Sequence, residues 1–339
     1  MNTKRFLTIA AAAAGTALLV SRDRRRKRRI DFRGASVVVT GGSRGLGLEI
    51  ARRFAAEGAR LTLVARNAAG LERARAELEA KGASVRIFAC DLGRREEAET
   101  AIRFALDAWG SVDVLVNNAG VIQVGPYDHM EIRDFEEAMA VHAWGPLHLV
   151  RAAVPLMRGQ GGGRIVNITS IGGLIAVPHL LPYTMSKFAL VGLSDGLRAE
   201  LAKDNIRVTT VAPGLMRTGS HINAVFKGQH EKEFAWFAVS DALPLLSTGS
   251  EKAASKIVEA CRYGDPSLII TPQARLIHAF NALTPGLSAA VAAFAARLLP
   301  KPVGPSGNER KSGRESRSAW APPYLTRPAD RMIERNLEG

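Results

Sequence analysis

The chain has 339 residues, 47% of them hydrophobic and 23% charged, with a formal net charge of +14. Two cysteines, Cys90 and Cys261, exclude a disulfide framework, and no cysteine–histidine spacing suggests a metal site. Residues 1–33 carry +8 and residues 301–339 carry +3, which leaves an ordinary core of about +3 and argues against a nucleic-acid-binding face.

The N-terminus comes first. Phe6 to Val20 contains no charge, with Lys4 and Arg5 before it and a basic block from Arg22 to Arg29 after it. As a helix this run spans about 22 Å, short of a hydrocarbon core of roughly 30 Å. Three readings stand: an uncleaved anchor or interfacial helix, a cleavable export signal, and a soluble amphipathic extension. The arginines oppose translocation and favour anionic lipid. The expectation is therefore a membrane-associated chain whose residues 1–33 anchor and link a catalytic domain on the cytoplasmic side.

Beyond this the chain alternates short apolar runs with helical patterns. Ala35–Thr40 is a β-branched run read as a buried parallel strand. It enters a turn, Gly41-Gly42-Ser43-Arg44-Gly45-Leu46-Gly47, followed by helical spacing through Leu48, Ile50, Ala51 and Phe54. Glycines in such a turn let the backbone approach a pyrophosphate, whose charge the helix N-terminus stabilises. The second strand, Leu61–Val64, ends in Ala65-Arg66-Asn67. NAD-binding folds place a carboxylate there for the ribose 2′-hydroxyl. Here Arg66 stands in its place, and Arg44 adds a second guanidinium. Two arginines suit a 2′-phosphate, so NADP(H) is expected over NAD(H); the bland alternative is that both are solvated surface residues.

Further strands centre near Ile87, Val114, Ile165, Val208 and Ile269. The pattern predicts an α/β, Rossmann-type doubly wound parallel sheet of about seven strands in a single domain over residues 34–299. Cys90 ends the third strand and is read as a structural thiol.

Ser170, Tyr183 and Lys187 carry the chemistry. Four residues make about one helical turn, so the phenol and the amine share a helix face. A free phenol titrates near pH 10; a neighbouring ammonium is expected to draw it down toward efficient proton transfer. Ser170 would hold a carbonyl or alcohol oxygen in line. That assembly suits carbonyl–alcohol interconversion beside a hydride carrier.

In the last third, Ile222, Val225, Phe226, Phe234, Trp236 and Phe237 read either as an aromatic lid over an apolar substrate or as core. Between Leu276 and Ala296 no charged residue appears apart from His278, and Pro285-Gly286 splits the stretch. It would rest on a bilayer, close a subunit interface or pack on its own domain. Residues 300–339 turn to Pro, Gly, Ser, Arg and Glu and are expected to be disordered, with Trp320, Tyr324, Met332 and Ile333 available for a short docking segment.

These motifs, in this order, resemble the short-chain dehydrogenase/reductase family from about Asp31 to Thr271. The family's TGxxxGxG falls on Thr40, Gly41, Gly45 and Gly47, which brings Ser43, Arg44 and Leu46 into the implied cofactor site. Its NNAG is Asn117-Asn118-Ala119-Gly120. Its adenine-contacting aspartate matches Asp91, followed by Leu92. Its catalytic serine, tyrosine and lysine match Ser170, Tyr183 and Lys187, the last two also contacting cofactor. Its PG motif is Pro213-Gly214, with Met216 and Thr218 at the nicotinamide end. One departure stands out: His142 occupies the place of the family's helix-distorting asparagine, either as a proton relay or as a space-filling residue. The resemblance implies an NADP(H)-dependent oxidoreductase and a homodimer or homotetramer paired through the Tyr183 helix. With the lid and the N-terminus it suggests a lipophilic lipid-, steroid- or retinoid-like substrate. The alternatives are a 3-oxoacyl-thioester reductase and a non-catalytic NADPH-binding sensor or scaffold.

Overall fold

The computed structural model describes residues 22–23, 25–242 and 247–339, and the apolar run expected to anchor the chain lies outside them. Its first half repeats strand and helix: β1 (Ser36–Thr40), α1 (Gly45–Ala56), β2 (Arg60–Ala65), α2 (Ala68–Glu79), β3 (Ser84–Ala89), α3 (Arg95–Trp109) and β4 (Val114–Asn117). Next come β5 (Gln123–Val124), α4 (Ile132–Met139), a π-turn over Ala140–Trp144, α5 (Gly145–Gly159), β6 (Gly163–Ile168) and α6 (Leu181–Leu201). The remainder comprises β7 (Ile206–Ala212), β8 (Met216–Arg217), β9 (Val225–Phe226), α7 (His230–Ala242), β10 (Thr248–Gly249), α8 (Ser250–Tyr263) and β11 (Ser267–Ile269). It ends with α9 (Pro272–Leu283), α10 (Pro285–Leu298), β12 (Lys311–Ser312) and α11 (Pro323–Arg335).

Seven strands form one sheet in the order β11-β7-β6-β4-β1-β2-β3, every pairing parallel. All seven were expected from the sequence. Side chains along a strand alternate between faces, and the core follows that rule. Val37, Val39, Leu61 and Leu63 meet Phe54 of α1, Leu71 of α2 and Ile257 of α8. Val38, Leu115, Ile165 and Val208 meet Ile102 of α3 and Leu149 and Ala153 of α5 on the other face. Strand order reverses between β1 and β4, and that switch opens a crevice beyond the strand C-termini.

Residues 300–339 correct the expectation of disorder. β12 pairs antiparallel with β9, and α11 packs on α7. Composition alone misses this because polar side chains hold the segment. Asn308 Oδ1 lies 2.9 Å from His129 Nδ1, Arg310 pairs with Glu137, and the Asn336 amide donates to the Thr218 carbonyl at 3.0 Å. The segment's own Ala321 and Ala329 are buried. The folded unit therefore extends past residue 299.

α9 and α10 behave differently. They meet at a bend of 119°, and α10 buries none of its side chains. The stretch packs on its own domain only in part: Ala292, Ala293 and Ala296 face Val177 and Leu181 across a cavity, and the Asn281 amide donates to the Leu174 carbonyl. No single helix among the described residues is long and apolar enough to cross a membrane, although this bent pair passes on length and composition together.

Candidate active site

The crevice holds a cleft of about 410 Å³ that reaches from the glycine turn to Tyr183. Apart from Thr40, every residue expected at the site lines it: Gly41, Ser43, Arg44, Gly45, Leu46 and Gly47 from the turn, Arg66 after β2, and Asp91 and Leu92 after β3. Asn118, Ala119 and Gly120 follow β4, His142 comes from the π-turn, and Ser170, Tyr183, Lys187, Pro213, Gly214, Met216 and Thr218 complete the wall. Thr40 lies beneath and joins two loops. Its hydroxyl donates to the Val116 carbonyl and accepts the Asn118 and Ala119 N–H groups at 2.9 and 3.1 Å. The Asn118 amide returns a bond to the Thr40 carbonyl at 3.0 Å.

The turn needs its glycines for two reasons. Gly41 adopts φ +65°, and a Cβ at Gly47 would stand 2.1 Å from the Gly41 carbonyl oxygen. The first turn of α1 carries no acidic residue of its own, and its positive end faces the cleft. Arg44 and Arg66 border the cleft, and Asn67 caps α2 by accepting the Gly70 N–H at 3.0 Å. The residues present thus fit a nicotinamide dinucleotide: a glycine-lined turn for a pyrophosphate, two guanidiniums, and no carboxylate at the end of β2.

At the other end Tyr183 is partly buried on α6, one turn before Lys187. Burial pushes the phenol up to about 12, which a hydrogen bond from Ser170 partly offsets and the charge of Asp241 reinforces. Burial likewise lowers Lys187 to about 7. Its ammonium donates to the Ile168 carbonyl at 2.9 Å and lies 5.6 Å from the centre of the phenol ring. The phenol is thus raised where the sequence led one to expect it drawn down, because desolvation dominates and Lys187 is not among the groups that shift it. Ser170 is set by the turn after β6: its hydroxyl accepts the Gly172 N–H, and the Ile171 N–H donates to the Pro213 carbonyl at 2.8 Å.

At His142 the structure shows a bracing contact. The residue is fully buried, and burial, then Lys187, holds it well below the usual imidazole range. Nε2 accepts the Val121 N–H at 3.1 Å, so Nδ1 carries the proton and donates to Ser186 Oγ at 2.8 Å. Ser186 in turn donates to the Tyr183 carbonyl. Both ring nitrogens are thus committed to holding the loop after β4 against α6. The π-turn persists although the expected asparagine is absent.

The aromatics after Thr218 form a core of their own. Phe226, Phe234 and Phe237 do not line the cleft themselves; they pack with Val124, Leu180 and Ala238 behind its wall residues Ile122 and Tyr183. The cleft wall there is mixed, with Gln123, Ser220 and Asn223 beside Val121, Ile122 and Val225. Two acids went unnoticed in the sequence. Asp241, buried on α7, has its carboxyl pushed up to about 8 by burial and acts on Tyr183. Glu338 reaches the glycine turn, where Arg44 Nε lies 3.4 Å from its carboxylate. Neither falls in a local motif; only the fold brings them to the site. Cys90 and Cys261 are free, buried and pushed up to about 12 by burial, as structural thiols are.

Comparison with known proteins agrees with this geometry. The family model described as short chain dehydrogenase matches residues 35–226. Dehydrogenase/reductase SDR family member 4 of Rattus norvegicus is 35% identical over 200 residues, 58% of this chain and 70% of that protein. Dehydrogenase/reductase SDR family protein 7-like of Anopheles gambiae is 32% identical over 272 residues, 79% of this chain and 84% of that protein. Among solved structures, L-sorbose reductase from Gluconobacter frateurii, complexed with NADPH and L-sorbose, superposes with a TM-score of 0.64 at 29% identity. The match covers 71% of this chain and 97% of that one.

Proposed function

We propose, from the premise that the chain belongs to the short-chain dehydrogenase/reductase family and is an oxidoreductase acting on CH–OH groups, that it uses NADP(H) and interconverts a lipophilic ketone or aldehyde with its alcohol. One observation carries the cofactor choice: Arg44 and Arg66 border the cleft where a carboxylate would otherwise select the 2′-hydroxyl. Thr40 and Asn118 would hold the walls of the pyrophosphate cradle. Gly41 to Gly47 would supply its floor, and Thr218 and Lys187 would border the nicotinamide ribose. Bound NADP(H) supplies or accepts the hydride.

The protein's own groups manage the proton and the orientation. Ser170 and Tyr183 hydrogen-bond the substrate oxygen. At neutral pH Tyr183 keeps its proton, so it donates as negative charge develops on that oxygen. Lys187 places a cation beneath the phenol ring and helps stabilise the phenolate left behind.

A lipophilic substrate is supported by a second cavity of about 740 Å³ beside the catalytic loop, walled by Pro126, Val177 and Leu181 and by Ala292, Ala293 and Ala296 of α10. The buried lid aromatics add nothing to it. A polyhydroxylated substrate is the second reading, supported by Gln123, Ser220 and Asn223 in the cleft and by the L-sorbose bound to the Gluconobacter enzyme. Membrane association with a cytoplasm-facing domain is proposed through residues 1–33 and the α9–α10 hairpin. Self-association through α6 is supported by the exposed Met185 and Phe188.

The test is loss of nicotinamide absorbance with NADPH and NADH against a panel of long-chain ketones, steroids, retinoids and ketoses. NADPH turnover on the lipophilic members supports the proposal; turnover on ketoses alone selects the second reading. A preference for NADH overturns the cofactor assignment. Tight NADPH binding without oxidation of any member would instead indicate a sensor.

A further inference from the structure

Residues 336–338 lie in the cradle that the glycine turn builds. The Gly45 N–H, at the start of α1, donates to the Asn336 carbonyl at 2.9 Å. Glu338 presses on the same residue: a Cβ at Gly45 would stand 2.6 Å from Glu338 Oε1. The other carboxylate oxygen accepts from the Asn223 amide at 2.7 Å and lies 3.4 Å from Arg44 Nε. Glu338 is 2% exposed. Two oxygen acceptors, one of them charged, thus meet the positive end of a helix with no acid in its own first turn. A pyrophosphate presents the same chemistry.

The segment is anchored there. The Asn336 amide donates to the Thr218 carbonyl and to Ser250 Oγ, Arg314 donates to the Glu338 carbonyl at 3.1 Å, and Leu337 packs against the core. Leu337 adopts φ +52°, a conformation that a side chain bears only when its surroundings impose it.

We propose that residues 336–338 form a strap that fills the pyrophosphate seat and competes with NADP(H), so that the strap must leave before the cofactor binds. Residues 336–338 and a pyrophosphate cannot share one seat, because both need the same space and the same donors. Cofactor affinity is then lowered in proportion to the fraction of molecules whose strap is out. Glu338 faces Arg44 from the glycine turn, Asn223 from the segment before β9, and Arg314 from the strap's own approach. Burial nonetheless raises its carboxyl to about 7. A released Glu338 has the ordinary carboxylate pKa, so docking takes up a proton between the two values. Docking is therefore strongest below the released value and weakens as pH rises toward 7.

The inference rests on the NADP(H) reading, and the test separates the two. NADPH binding to full-length wild type, Glu338→Ala and Glu338→Gln is measured by calorimetry at pH 5.5 and 7.5. Amide exchange of residues 330–339 is followed in the wild type with and without NADPH. Expected are binding to Glu338→Ala tighter by about tenfold or more, a smaller pH dependence in Glu338→Gln than in the wild type, and faster exchange of residues 336–338 when NADPH is added. Equal affinities in all three proteins would overturn the strap alone. So would weaker binding by Glu338→Ala with slower exchange on NADPH addition, since the segment would then be a wall of the cofactor site. Failure of all three to bind NADPH would overturn the cofactor reading itself.

Discussion

Tyr183 and Lys187 show how burial decides protonation at this site. Desolvation opposes charge on both, so the phenol stays protonated and the amine gives up its proton more readily. For Lys187 the sign is clear: the unfolded chain binds its proton up to the ordinary lysine value, whereas the native site releases it near 7. Stability should rise with pH across that window, and below it the buried ammonium is a standing cost on the order of a few kcal/mol. Lys187→Met is therefore expected to raise the melting temperature at pH 6 while abolishing turnover, with the gain shrinking as pH rises above 7; a lower melting temperature at pH 6 would contradict the assignment. Arg66→Asp should shift preference from NADPH toward NADH by at least about tenfold, read from kcat/KM with each cofactor. At this scale the sequence was informative wherever a residue belonged to a local motif. Ser170, Tyr183, Lys187 and the glycines could be named because their spacing alone implies their chemistry. The direction of the Tyr183 shift could not, since it depends on burial, and Glu338 is 293 positions from the glycine it touches.

The π-turn at Ala140–Trp144 is the element that sets the site's geometry. An inserted residue in a helix leaves backbone groups to be satisfied elsewhere, and such turns cluster at functional sites. Here His142 fills the space, ties the Val121 N–H to Ser186, and stacks edge-on to Tyr183 with ring centres 5.5 Å apart. His142→Phe should leave the Val121 N–H and Ser186 without that partner and cost about 1–3 kcal/mol of stability. The pH–rate profile of the remaining activity should keep its shape, whereas a proton relay would lose a titration step. The alternating strands were legible because β-branched runs with a period of two leave few other readings. The order of the last forty residues was not, because its hold on the domain comes from single side chains such as Arg310 and Asn308 that meet distant partners.

At the scale of the whole molecule, one sheet supports a cleft on its C-terminal edge, a strap across the glycine turn and an exposed apolar hairpin. Leu276, Leu283, Leu287, Phe294 and Leu298 stand open on that hairpin, and residues 266–308 contain no acid while Arg275, Arg297 and Lys301 flank the apolar stripe. That pairing of apolar and basic groups suits an anionic lipid surface. Full-length protein should co-float with phosphatidylserine vesicles, and the double variant Leu283→Glu, Phe294→Glu should lose most of that binding. If the wild type stays with the buffer and the variant instead falls from dimer to monomer, the hairpin is a subunit contact. The proposed chemistry depends on Tyr183 as the proton donor beside a bound nicotinamide. The most direct measurement is single-turnover NADPH oxidation by Tyr183→Phe, with NADPH affinity measured in parallel on a carbonyl substrate that the wild type reduces. The expected result is affinity close to wild type with the rate down by at least about a hundredfold; a rate close to wild type would contradict the account.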